Sequence, residues 1–557
     1  MGGICSRKRE QEKRDNGVQG AVSGRYCKSG SSKWLAFAAS FSLSALECPI
    51  GRGNCPSLLE LCIYKIRKDI EKHSSFSTLP RDLSQQIFNY LASSHSLNEA
   101  SLKAFQDCAL EDIFLGEYPG VKDSWMNVIS SQGPSLLSID LSGSDVTDSG
   151  FCLLKNCLNL QALTYNYCDQ ISELGLNHIS GLSNLKFLSL TKNNAVTAEG
   201  MRTFSRLVNL MKLDVERCSQ IHGGFVHLKG LSKLESLNVR CCKCITDYDM
   251  KHISGLASLK ELQVSCTNIT DVGVSYLKGL NKLILLNLEG CRVTTACLDS
   301  MTAFLVLSHL NLSRCGISDD GCEKFSDLTK LESLNLDSCK IGDEGLTHFT
   351  GLVSLRRLEL SDTEVQSHGL CHLSGLTELQ SINLSFTSVT DSGLKRLSRL
   401  TSLKSLNLDA RQISDSGLSY ITGLTGLTHL DLFGARITDL GTISLQYFKN
   451  LRSLEICGGG LTDTGVNNIK GLISLRLLNL SQNLSLSDNS LKLISGLTAL
   501  VSLNVSNSSI TSEGLQFLKP LKNLRSLLLE SCKVTALDIK DLKSTALPNL
   551  LNFRPDR

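Results

Sequence analysis

From Leu136 to its last turn the chain is written in units of 24 or 25 residues built on the pattern Leu-x-x-Leu-x-Leu. The openings fall at Leu136, Leu160, Leu185, Leu210, Leu234, Leu259, Leu283, Leu307, Leu331, Leu355, Leu379, Leu403, Leu427, Leu451, Leu475, Leu500 and Leu524. A unit this short cannot bury its own apolar stripe, so its copies must stack into one continuous core. The product is an elongated array with a long, uniform surface and no obligatory pocket, a shape suited to binding rather than catalysis.

Within one unit, Leu331 to Leu352, the alternation of Leu334 and Leu336 predicts a short strand with both side chains inward. Ser333, Asn335 and Asp337 then lie on the opposite, outward face. The strand is followed by a turn and by Thr-Asp-x-Gly-Leu or a variant, as at Thr270-Asp271, Thr390-Asp391, Thr438-Asp439 and Thr462-Asp463. Threonine offers a capping oxygen and aspartate a negative charge where a helix begins. The pattern resembles the leucine-rich repeat, which implies an α/β solenoid with parallel strands on the concave side and helices on the convex side. Seventeen strands about 4.8 Å apart give an inner face of roughly 80 Å. The expected solenoid spans 134–557, closed by Leu547, Leu550 and Phe553. No proline interrupts it between Pro134 and Pro520.

The 22 cysteines suggest a disulfide framework at first sight, but the repeat explains many of them. Cys168, Cys218, Cys242, Cys291, Cys315, Cys339 and Cys532 share the ninth position of their units with Asn193, Thr267, Thr363, Thr387 and Asn483. A small side chain with a hydrogen-bonding tip is wanted there to satisfy loop backbone groups, and a thiol supplies a weak version. Unpaired structural thiols fit a reducing cytosol. Cys241, Cys242 and Cys244 crowd one turn without a second matching pair, so no metal site is expected. His309 and His429 fall on strands, and His178, His252, His348 and His372 on the helical side. None shares a motif with a nucleophile or paired carboxylate, and there is no phosphate loop or dinucleotide fingerprint. No enzymatic site and no cofactor is expected.

The start of the chain carries a different signal. Met1-Gly2-Gly3-Ile4-Cys5-Ser6 fits the rule for myristoylation of Gly2, and Cys5 is a natural site for a second, thioester-linked chain. One myristoyl group holds a bilayer only marginally, and Arg7, Lys8, Arg9, Lys13 and Arg14 supply the additional basic charge. Residues 1–55 are therefore expected to be a disordered, lipidated tail at the cytoplasmic face of a membrane. Trp34 to Leu46 is too short to span a bilayer and too far from the start for a signal peptide. Sequons such as Asn311-Leu-Ser313, Asn383-Leu-Ser385 and Asn479-Leu-Ser481 arise from the strand consensus and are read as unused.

Between tail and solenoid, 56–133 reads as a helical region, with Leu59, Ile63, Ile66 and Ile70 on one stripe after Pro56. Leu79, Pro80, Leu83, Ile87, Phe88 and Leu91 follow in the order Leu-Pro-x-x-Leu-x-x-x-Ile-Phe-x-x-Leu. That order resembles the opening of an F-box, here spanning 76–120. With cysteine-containing repeats behind it, the chain resembles the F-box/LRR-repeat family, particularly its plant members. The resemblance implies a substrate receptor of a cullin-based ubiquitin ligase, the F-box docking on a Skp-type adaptor and the repeats holding the substrate. Ser101 to Phe105 and Trp125 are only displaced counterparts of the basic, tryptophan-bearing end of an F-box. Leu83, Ile87 and Leu91, at i, i+4 and i+8, serve equally as a helical cap on a solenoid.

Net charge is only +3, which gives no reason to expect nucleic acid. The outward strand positions are instead acidic: Asp140, Asp214, Glu216, Glu261, Glu289, Asp337, Glu359, Asp409, Asp431, Glu455 and Glu530, against Lys212, Arg240 and Arg357. Such a face steers basic protein segments and repels nucleic acid. Asp409, Asp431, Phe433 and Glu455 form the sharpest expected patch, with an exposed Phe433, and Arg357 and Glu359 lie further along. Two functions are compatible with these features: substrate receptor in a ubiquitin ligase, or membrane-tethered scaffold without a ligase connection.

Overall fold

The computed structural model describes residues 58–555 except 410 and 411. Nineteen strands, from β1 (Asp112–Phe114) to β19 (Asn552–Pro555), form one sheet in which each strand pairs in parallel with the next in sequence. Register follows the repeat: Leu334 lies between Leu310 and Leu358. Leu334 and Leu336 are fully buried and Ser333 is half-buried, as the alternation predicts. Asn335 and Asp337, however, are also buried, Asn335 accepting from Asp337 N–H and Asp337 from the Ser361 hydroxyl of the next unit. Short α-helices and 3-10 turns form the other layer; a helix is about 10 Å wide where a strand needs about 4.8 Å, so the array curves toward its strands.

The ladder starts one unit before Pro134. β1 pairs with β2 (Ser138–Asp140), aligning Ile113 with Ile139. Leu110, Ile113 and Leu115 are buried as Leu-x-x-Ile-x-Leu, a variant of the same pattern. Trp125, Met126 and Ile129 pack beneath them from the helix Asp123–Ser131. Trp125 is thus a core residue of the first unit rather than the end of an F-box. At the far end Leu547 and Leu550 are fully buried and β19 adds a last strand.

Thr-Asp-x-Gly is explained by contacts between units. The threonine or serine caps its helix, and the aspartate, the first helical residue, reaches into the following unit. Asp439, for example, accepts hydrogen bonds from Thr462 N–H at 2.9 Å and Thr462 O–H at 2.6 Å. The same pair of bonds joins Asp123 to Thr147, Asp148 to Ser172, Asp247 to Thr270, Asp271 to Thr294, Asp391 to Ser414, Asp415 to Thr438, Asp463 to Ser487 and Asp488 to Thr511. Glycine follows from this ladder, since a Cβ at Gly441 or Gly465 would overlap the preceding unit's Asp415 or Asp439 carboxylate.

Three helices precede the ladder: α1 (Leu58–Lys68), α2 (Arg81–Ser93) and α3 (Glu99–Lys103). On α1's stripe Ile63 is buried and Ile66 half-buried, with Ile70 buried just beyond its end. α2 lies against the open edge of β1. Gln85 Oε1 accepts from Glu111 N–H at 2.9 Å and Asp112 N–H at 3.1 Å, while its Nε2 donates to Asp112 O at 2.6 Å. One side chain thereby satisfies edge groups that would otherwise template pairing with another chain.

Candidate functional site

The surface that every unit repeats is the strand face, and its polarity is built by one local rule. At the fifth position of eight units an Asn side chain accepts the backbone N–H two residues on, as Asn287 does from Glu289 at 3.0 Å and Asn335 from Asp337 at 2.9 Å. This Asx turn ends the strand and turns the chain toward the convex side. Asp140, Asp214 and Asp431 do the same, at 2.9, 3.0 and 3.0 Å. Three of the acids that the sequence assigns to the binding face therefore lend one oxygen to the scaffold, while their charge remains on the face.

Other acids are held in an unfavourable setting for ionisation. Burial pushes Glu289, Asp337 and Glu359 above the usual carboxylate range, opposed for Glu289 by Arg314 and Arg240 and for Asp337 by the Ser361 hydroxyl. Ser361 O–H donates to Asp337 Oδ1 at 2.6 Å. Burial likewise pushes His429 below its ordinary value, with Arg452 adding to the effect.

The predicted patch is partly assembled. β14 (His429–Asp431) and β15 (Ser453–Glu455) place Asp431 directly opposite Glu455, and Asn407 on the other side leads to Asp409. Asp409, Asp431 and Glu455 are buried, and Phe433 is half-buried rather than exposed, so the patch is a packed surface and not a projecting ring. Beside it Ser453, Leu477 and Ser502 are also buried and line a shallow dimple with Asn479 and Asn504. Arg357 and Glu359 sit three strands away on β11 (Arg357–Glu359). Arg357 is exposed and reaches across Ser333 to His309, Nη2 to Nε2 at 3.3 Å.

Ninth-position thiols behave as the sequence suggests. Each of Cys168, Cys218, Cys242, Cys291, Cys315, Cys339 and Cys532 is buried and donates to a carbonyl of the preceding unit at 3.2–3.5 Å. Asn193 and Asn483 make the equivalent bond through Nδ2. Thr267, Thr363 and Thr387 are too short to reach and bond a carbonyl of their own unit. Among the described residues no three histidine, cysteine or acidic side chains group as metal ligands.

On the F-box-like segment the apolar stripe turns onto the solenoid. Ile87, Phe88 and Leu91 are buried in the continuous core, Phe88 edge-on to Phe105 with centroids 5.3 Å apart. Leu79 is half-buried and packs against the same core, Leu83 is half-buried and Pro80 is exposed. Gly2 and Cys5 lie outside the described residues, and among those described no helix is long and apolar enough to cross a membrane.

Sequence patterns of the leucine-rich repeat match residues 232–293, and in a second form 181–205, 306–326 and 327–348. No match to a curated protein was found. Among solved structures, mouse RP105 in its complex with MD-1 is similar at 18% identity and a TM-score of 0.52, over 82% of this chain and 83% of that one. An internalin from Listeria monocytogenes matches at 24% identity and a TM-score of 0.44, over 64% of this chain and 93% of that one. A leucine-rich-repeat protein of Leptospira interrogans matches at 20% and 0.46, over 74% and 94%. Pattern, ladder and the RP105 likeness agree that this chain carries leucine-rich repeats and folds as a leucine-rich-repeat solenoid.

Proposed function

We propose that this chain is a non-catalytic binding protein whose strand face holds a protein partner of basic character, acting as the substrate receptor of a Skp–cullin–F-box ubiquitin ligase. The observation that carries the binding reading is the repeated polar strand face, with eleven acidic against three basic residues at its outward positions. That excess persists although Asp140, Asp214 and Asp431 also serve Asx turns, because an oxygen that accepts a hydrogen bond keeps its charge. The ligase reading rests on the order of Leu79, Pro80 and Leu83 ahead of cysteine-containing repeats. With Ile87, Phe88 and Leu91 buried, the adaptor contact narrows to Leu79, Pro80 and Leu83. Acylation at Gly2 and Cys5 would hold the assembly at the cytoplasmic face of a membrane.

A second reading is favoured by the burial of α2. If Gln85, Ile87, Phe88 and Leu91 exist only to seal the first strand, the chain is a membrane-tethered scaffold without a ligase connection. Purified full-length chain titrated with a Skp adaptor separates the two. The ligase reading expects binding that Leu79→Ala with Pro80→Ala abolishes while thermal unfolding stays unchanged. No binding at tens of micromolar, or loss of folding of the first units in the double variant, selects the scaffold.

A further inference from the structure

We propose that Cys241 and Cys266 form a redox-active dithiol at the rim of the strand face, closed to a disulfide by exchange with a small-molecule disulfide. They occupy the eighth position of successive units, opening at Leu234 and Leu259. Both residues are left-handed, with φ of 59° and 56°, so their turns superpose one above the other. Cys241 N–H donates to Ser265 O at 2.8 Å, which places the two turns, and with them the two thiols, side by side. Adjacent strands about 4.8 Å apart fall within the roughly 4.4–6.8 Å separation of α-carbons that a disulfide requires.

Their setting separates them from the ninth-position thiols, which are buried and engaged with carbonyls. Cys241 is half-buried and Cys266 exposed. In the next unit the equivalent residue is Gly290, where a Cβ would stand 3.4 Å from Cys266 Sγ; glycine leaves that side of the sulfur open to a reagent. In the unit before, Arg217 stands at the same turn position, its N–H donating to Arg240 O at 2.9 Å, which stacks its turn on that of Cys241. The Cys266 thiol, with Arg217, brings the Cys241 thiol down to about 6, against burial and the charge of Glu216. Cys266 is pushed up, first by its bond to Cys241, then by burial. The pair titrates as a unit, and the Arg217 charge at the turn beside Cys241 favours the thiolate there, which makes Cys241 the nucleophile.

The chemistry balances. Cys241 thiolate attacks one sulfur of the small disulfide, forming a mixed disulfide and releasing one thiolate. Capping Cys241 removes the main cause that holds the proton on Cys266. Cys266 then deprotonates and attacks the Cys241 sulfur, releasing the second thiolate. The protein gives up two electrons and two protons, and the reagent is reduced to two thiols.

The test uses the reduced full-length chain in glutathione buffers of graded poise, quenched by alkylation and mapped by mass spectrometry. The expected product is a cross-link joining Cys241 to Cys266, about 2 Da lighter than the reduced pair and free of glutathione. Cys266→Ser should instead leave a stable glutathione adduct on Cys241, since the resolving thiol is gone. Overturning results are two: both thiols remaining alkylatable at the most oxidising poise, or both carrying glutathione independently in the wild-type chain.

Discussion

Asp463→Ala tests the ladder of aspartates that sets the spacing of the units. Its carboxylate accepts from Ser487 N–H at 3.1 Å, from Ser487 O–H at 2.5 Å and from the Ser490 hydroxyl. Ser490 stands where most units have glycine, and its hydroxyl turns a steric conflict into a hydrogen bond. A bond to a charged acceptor contributes about 1.5–3 kcal/mol when sheltered, less where water competes. Asp463 is only partly buried and donors released by the change can reach solvent, so the three bonds and the helix N-terminus together give about 2–4 kcal/mol. Burial opposes ionisation here, yet the Ser487 and Ser490 bonds hold the carboxyl below its usual range. A lowered folded value means stability that is present above the unfolded value and lost as pH falls through the folded one. Urea unfolding at pH 7 should show the full cost, and the gap between variant and wild type should narrow toward about pH 3. Hydrogen exchange should place the lost protection in the units opening at Leu451 and Leu475. A cost below about 0.5 kcal/mol at pH 7 would refute the ladder as a source of stability.

Leu334→Ala, which empties a fully buried site, should cost about 2–5 kcal/mol in denaturant unfolding, whereas Ser333→Ala should stay within about 0.5 kcal/mol. Glu359→Gln should raise the urea midpoint at pH 7 but not near pH 4. Burial raises its folded value, so its ionisation costs stability as pH rises through that value, and glutamine never ionises. Gly2→Ala should move the chain from membrane to soluble fractions, and intact mass should lose myristate.

The inward leucines and the thiol positions were legible because each is a strict feature of the period. The first unit was not, since Ile113 replaces the central leucine and no second unit precedes it to expose the match. Aspartate after threonine reads locally as a capping charge. Its stronger partners lie 23 or 24 residues on and emerge only when units are stacked. The same holds for Cys241 and Cys266, distant in sequence but at one turn position. Acidity of the strand face was legible, but its division of labour was not: aspartate at the fifth position substitutes for the Asx asparagine. Phe433, expected to project, is half-buried.

Binding through the strand face is the central claim, and site-specific photo-crosslinking in cells tests it most directly. A crosslinking residue at Ser405, on β13 (Ser405–Asn407), faces the strand side, and one at Leu440 projects from the convex helix Asp439–Leu445. The expected result is a protein adduct at 405 that Arg357→Glu strengthens, because the partner is basic, with little at 440. Adducts at 440 with none at 405 would contradict the account.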